Sequence, residues 1–214
     1  MKSLESIYNS ILLENQNTNN IDLELLKKCV KGTYTINDDG SIDVEGSVNL
    51  SRKKLTKIPF KFRNVSGGFY CNNNQLTSLK GSPNTVGGGF YCYFNQLTSL
   101  EGAPNNVGGG FYCYNNKLTT LEGAPNTVGS SFYCSSNKLT SLDGAPNNVG
   151  VNFYCYDNPN LSYSELFKIV DTVKYDIYYI SVNTPEDKDK IRRDRDIKET
   201  LKDDELGSLD VWNP

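Results

Sequence analysis

The chain has no histidine among its 214 residues. That absence removes the commonest general base, the usual activator of a serine or cysteine nucleophile, and the commonest metal ligand together. No apolar run approaches the ~20 residues that a membrane-spanning helix needs. The opening MKSLESIYNSILLENQ is broken by Glu5 and Glu14 and has no small-residue cleavage site, so it does not read as a signal peptide. A cationic excess is missing too. Lys and Arg number 22 against 25 Asp and Glu, a formal net charge of -3, which disfavours nucleic acid as a partner. There is no P-loop, no CxxC pair and no carboxylate pair at a spacing that suggests acid–base work. The expectation is a chain that is not an enzyme and takes no cofactor or metal.

What is present is a repeat. The triplet Phe-Tyr-Cys begins at Phe69, Phe90, Phe111, Phe132 and Phe153, each 21 residues after the last. The rest of the unit stays in phase: after Cys92 come Asn95, Leu97, Leu100, Gly102, Pro104 and Val107, and after Cys113 come Asn116, Leu118, Leu121, Gly123, Pro125 and Val128. A degenerate sixth unit lies upstream, with Val48, Leu50, Leu55, Ile58 and Val65 at the apolar positions and Lys53 at the Asn position. It carries Arg52, Lys53, Lys54, Lys57, Lys61 and Arg63, which suits an end coil that faces water instead of a neighbour.

One unit cannot bury its own apolar face, so units must stack as a solenoid of parallel strands. Phe and Cys lie two apart and point to one face of a strand, while Tyr points to the other. Phe, Cys, the two Leu and the Val give five inward positions per coil. The glycines before each Phe are expected to permit backbone turns, and Pro holds one corner extended. The recurrent Asn74, Asn95, Asn116, Asn137 and Asn158 can bridge backbone groups of adjacent coils. The five repeat cysteines point the same way inside the stack. They read as small core fillers, not as disulfides or metal ligands.

The N-x-L-T-S-L segment Asn95-Gln96-Leu97-Thr98-Ser99-Leu100 resembles the leucine-rich repeats of bacteria and their viruses. The fuller unit, continuing through E-G-A-P-N-x-V-G-G-x-F-Y-C, is similar to repeat proteins of tailed bacteriophages, and Tyr34 to Phe62 resembles an N-terminal cap of that group. The opening Ser-Leu-Glu-Ser-Ile-Tyr-Asn-Ser-Ile-Leu resembles short segments found on other phage proteins. The resemblance covers roughly residues 33–162. It implies a β-rich leucine-rich-repeat solenoid, a role in protein contact, and a place in the host cytoplasm or the virion. Secreted effectors that join such repeats to a ubiquitin-ligase domain differ, because no cysteine follows Cys155 here.

The flanks complete the expected organisation: a helical segment and linker over 1–32, a β-hairpin cap over 33–47, the six-coil solenoid over 48–161, and a helix–strand–helix cap and tail over 162–214. In residues 1–14, Leu4, Ile7, Tyr8, Ile11 and Leu12 form one helical stripe, either packing on the first coil or acting as a docking peptide. Asn15 to Asn20 reads as a linker. Residues 21–30 suit a short helix with Leu23, Leu26 and Val30 inward. Asp39-Gly40 marks a hairpin. Ser162 to Asp171 reads as a helix and Tyr175 to Val182 as a strand that closes the far end. Thr184-Pro185 starts a charged helix to about Leu201.

Outward positions are where a partner is expected. Tyr70, Tyr91, Tyr112, Tyr133 and Tyr154 form one column, and Asn72, Tyr93, Tyr114, Ser135 and Tyr156 form the next. Tyr gives large contact area at small conformational cost. Trp212, the single tryptophan, either anchors in a partner or packs back on the chain. Between residues 66 and 160 the charges are Lys80, Lys117, Lys138, Glu101, Glu122, Asp143 and Asp157, so binding there should depend little on salt. The expected partner is a host or virion protein. The alternatives are a virion component packing on other virion proteins and, less favoured, carbohydrate binding; self-association is left open.

Overall fold

The computed structural model describes residues 22–179. The expectations for residues 1–14, for the helix beginning at Thr184 and for Trp212 lie outside the described residues. The described chain is a parallel β-solenoid of about six turns with very few helices.

A short helix, α1 (Leu23–Cys29), leads in. The Asp22 side chain accepts from Leu25 N at 2.9 Å and caps it, and Lys27 and Lys28 in its last turn complement the dipole. Leu26 and Cys29 are buried, but Leu23 is exposed. Val30 is not in the helix at all, so the expected Leu23–Leu26–Val30 stripe does not form. Val30 is β-branched and takes an extended backbone, pairing with Val48 as the first residue of β1 (Val30–Ile36).

β1 pairs antiparallel with β2 (Ile42–Asn49) around the 37–41 connection. β2 then serves two columns of parallel strands. Its first half pairs with β3 (Phe62–Val65), and its last two residues pair with β4 (Phe69–Tyr70). From β3 one column continues through β5 (Thr85–Val86), β7 (Asn106–Val107), β9 (Thr127–Val128) and β11 (Asn148–Val149). From β4 the other continues through β6 (Phe90–Tyr91), β8 (Phe111–Tyr112), β10 (Phe132–Tyr133), β12 (Phe153–Tyr154) and β13 (Ile177–Tyr178). Every coil gives one strand to each column, and the register carries Phe onto Phe, Tyr onto Tyr and Val onto Val. To belong to both columns β2 must bend, and it does so where Gly46 and Gly32 face each other at φ 136° and 129°. A Cβ on either glycine would lie about 2 Å from a backbone oxygen of the other strand.

The five inward positions fill the core. Phe111, Cys113, Leu118, Leu121 and Val128 are all fully buried, as are their counterparts in the neighbouring coils to within a few per cent. The Phe rings stack along the axis, 5.1 to 5.4 Å apart from Phe69 to Phe153. The six cysteines, the five of the repeat and Cys29, are buried thiols. The asparagine ladder also forms. Asn116 Nδ2 donates to Cys92 O at 3.1 Å and Cys113 O at 3.0 Å, and its Oδ1 accepts from Leu97 N at 3.0 Å.

The glycines before each Phe have a different role from the one expected. They do not adopt positive φ; Gly81, Gly102, Gly123 and Gly144, after the second Leu, do. The first glycine of each run is needed for close approach between coils. A Cβ on Gly108 would stand 2.3 Å from Gly87 O, and one on Gly87 would stand 2.2 Å from Ser66 O. The last of the run is overlain by the tyrosine two residues on.

At the far end the coil path stops. Leu100 N donates to Glu122 O, and Leu121 N to Asp143 O, each one coil onward. Leu142 has no such coil ahead, and its N–H donates at 2.9 Å to Oε2 of Glu165 in the 3-10 helix Tyr163–Lys168. Of the strand expected over Tyr175 to Val182, Ile177 and Tyr178 pair with Phe153 and Tyr154.

Candidate functional site

The alternation of each Phe-Tyr strand sends Phe inward and Tyr outward, and the in-register stacking lines the tyrosines up. Tyr70, Tyr91, Tyr112, Tyr133 and Tyr154 form a continuous stack with ring centroids 4.3 to 4.7 Å apart and planes within 14° of parallel. Tyr178 extends it at 4.5 Å. Tyr178 was not among the expected site residues. Its signal was the Ile-Tyr of YDIYYISV, which mimics the repeat's Phe-Tyr. The rings are half-buried and lean back over the glycines, so their faces cover one another and their edges face outward. Asn152 replaces the last glycine in coil six, and its Nδ2 donates to Tyr154 Oη at 3.0 Å.

The second column is interrupted. Asn72 and Ser135 are buried, and Ser135 Oγ donates to Tyr154 O. Tyr93 and Tyr114 stack at 4.6 Å, while Ser135 separates Tyr114 from Tyr156 in the column. Asn72 Oδ1 is buried without a hydrogen-bond partner among the described residues.

The next position along each coil holds a residue in the left-handed region: Arg52, Asn73, Phe94, Asn115, Ser136 and Asp157, with φ between 51° and 56°. Asn and Asp tolerate this conformation; a bulky aromatic residue there is an outlier. Phe94 is nevertheless 48% exposed, and its ring meets Tyr93 and Tyr114 edge-on, 5.7 Å from each. Sequence reasoning passed over Phe94. The available signal was its departure from the small polar residues at the same place in the other four Phe-Tyr-Cys repeats.

Comparison of the chain with family models, with curated proteins and with solved structures gave no match. The chemistry of the surface therefore carries the functional argument. Burial, with neighbouring phenols adding to it, raises the pKa of Tyr91, Tyr112 and Tyr114, and pushes Tyr133 up to about 12. These four phenols are thus neutral at physiological pH. The repeat thiols Cys71, Cys92, Cys113 and Cys134 are held far above their ordinary range by full burial, which leaves them unreactive as nucleophiles.

The basic residues of the first coil divide. Lys61 pairs with Asp39 at 2.8 Å and Arg63 pairs with Asp43. Arg52, Lys53, Lys54 and Lys57 are exposed. On the other strand column, a shallow groove is lined by Asp43, Glu45, Asn64, Ser66, Thr85 and Gly87. Among the described residues no helix is long and apolar enough to cross a membrane.

Proposed function

We propose that this chain is a non-enzymatic protein-interaction module of the leucine-rich-repeat type, and that its tyrosine face receives a protein partner. One observation carries the reading: Tyr70 to Tyr178 form an unbroken, uncharged stack along the whole strand column. Each ring is already held by its neighbours, so a partner that docks on their edges and hydroxyls loses little further conformational freedom. The parallel stacking counts against sugar recognition, which would use open ring faces. The likeness of the repeat to phage proteins points to a host or virion protein as the partner.

The test is affinity capture from host lysate with the full chain and with a Tyr112→Ser/Tyr133→Ser variant shown by circular dichroism to be folded. A protein held by the wild type and lost by the variant supports the reading. Equal capture by both removes the tyrosine face as the site. Mass spectrometry of purified virions separates a host-directed module from a virion component, which would be found there in many copies.

A further inference from the structure

We propose that the corner formed by Tyr93, Phe94 and Tyr114 is a docking site for an acidic peptide segment that carries one large apolar anchor residue. The proposal rests on the protein-binding reading for its class of partner, but it uses different side chains from the tyrosine stack.

Three observations support it. First, Phe94 holds a left-handed backbone at φ 51° while staying 48% exposed. The fold imposes this backbone on every coil but does not ask for a bulky side chain there, because the same position in the coils on either side is Asn73 and Asn115. Strain kept at an exposed residue is a mark of function. Second, the three rings meet as a cluster, Tyr93 stacked on Tyr114 and Phe94 edge-on to both, and beside Tyr93 in the column the buried Asn72 Oδ1 has no hydrogen-bond partner among the described residues. Third, the charge along this corner is predominantly positive. The second to fourth residues after each Cys position bring Arg52, Lys53 and Lys54 from coil one, Lys117 from coil four and Lys138 from coil five, against Asp157 alone. Lys117 Nζ donates at 3.1 Å to Gln96 Oε1, which places the cation beside the coil that carries Phe94. The acidic side chains Glu101, Glu122 and Asp143 sit in a separate column, nine residues after each Cys.

This pattern of an aromatic centre and dispersed cations fits carboxylates around an apolar anchor. It fits a single-stranded nucleic acid less well. Tyr93 and Tyr114 each spend one ring face on the other, and Asn72 and Ser135 end the column on either side, so the corner offers no continuous run of rings for successive bases.

The test measures fluorescence anisotropy of the full chain with a pool of labelled, Glu-rich dodecapeptides bearing a central Leu, Ile, Met, Phe or Trp. Control pools carry Gln in place of Glu or Gly in place of the anchor, and an oligothymidylate serves as the nucleic-acid probe. The acidic anchored pool is expected to bind, and to weaken as salt rises. Phe94→Asn, which installs the residue of the flanking coils, should weaken binding by roughly tenfold, the loss typical of an interface anchor. Lys117→Gln/Lys138→Gln should weaken it several-fold, and Tyr112→Ser/Tyr133→Ser should leave it within about twofold. Failure of the whole pool to bind, equal binding by Phe94→Asn, equal binding of the Gln pool, or tighter binding of the oligothymidylate each overturns the proposal. The tyrosine-face reading stands or falls separately, on capture by the Tyr112→Ser/Tyr133→Ser variant.

Discussion

Asn116 ties its own coil to the one before it, its Nδ2 donating to Cys92 O at 3.1 Å in a site closed to water. The same side chain satisfies Leu97 N and Cys113 O, so one amide meets three buried backbone groups. Leaving a buried backbone group unpaired costs about 1–3 kcal/mol. Asn116→Ala should therefore destabilise the solenoid by about 3 kcal/mol or more, read as a lower urea midpoint. Asn116→Asp can still accept from Leu97 N but cannot donate to the two carbonyls, so it should recover only a small part of the loss.

The glycine run yields a contrast within one coil. Gly108→Ala puts a methyl 2.3 Å from the backbone oxygen of Gly87, and neither coil can retreat without breaking the ladder. Gly110→Ala meets instead the ring edge and hydroxyl of Tyr112, at 2.8 Å, which can swing outward. Nature already places Ser131 and Asn152 at the latter position. The first substitution should cost about 3 kcal/mol and the second about 1 kcal/mol or less, as overpacking of rigid and of yielding neighbours does. Thermal melts of the two single variants check this; a costlier Gly110→Ala would refute the assignment of close approach to the first glycine.

Much of this was legible beforehand and some was not, for physical reasons. The 21-residue period gave the stacking, the five inward positions and the asparagine ladder, because each is a property of equivalent residues meeting along an axis. Three things depend on how one coil lies against the next, and a period cannot state that. Gly108 looked like a turning residue because its need for absence of a Cβ arises from Gly87 of another coil. Tyr178 escaped notice because its strand is separated from Tyr154 by 24 residues, not 21, and enters the stack after a 3-10 helix. Phe94 stands where the side chain varies from coil to coil, and the period does not show that the backbone there is held left-handed in every coil. The tyrosine column itself was placed from sequence alternation alone, since strand geometry fixes which face it takes.

Alkali should loosen the fold in two steps. The buried thiols and the stacked phenols have raised pKa values, so the folded chain holds those protons more tightly than the unfolded chain does. Their contribution to stability is complete below the unfolded values and is lost as pH rises. Unfolded thiols ionise near pH ~8.5 and unfolded phenols near pH ~10, so the urea midpoint should start to fall between those values and drop further toward pH ~12. At the acid end, the Asp43 carboxyl is held at about 2, mainly by its hydrogen bond to Arg63. Its contribution is present above pH ~4 and disappears as pH falls through the folded value. Arg63→Gln should remove most of that acid-side slope and change stability little at neutral pH, since the pair is partly exposed. An alkaline midpoint that stays flat to pH ~12 would contradict the buried ladder of thiols and phenols.

Phe94→Asn separates function from folding. Removing the aromatic ring forfeits two edge contacts, each worth about 0.5–1 kcal/mol at an exposed site. Asn relieves the left-handed strain, which costs a bulky side chain about 1–2 kcal/mol. The two effects oppose each other, and the melting temperature should move by no more than the equivalent of about 1 kcal/mol in either direction. Phe111→Ala removes a fully buried ring from the inner stack and should cost about 3–5 kcal/mol. A large loss of stability in Phe94→Asn would mean that the ring is part of the scaffold, and its exposure would then need no partner to explain it. A near-neutral melt, together with weaker binding of the acidic peptide, is the combination that a docking residue should give and a packing residue should not.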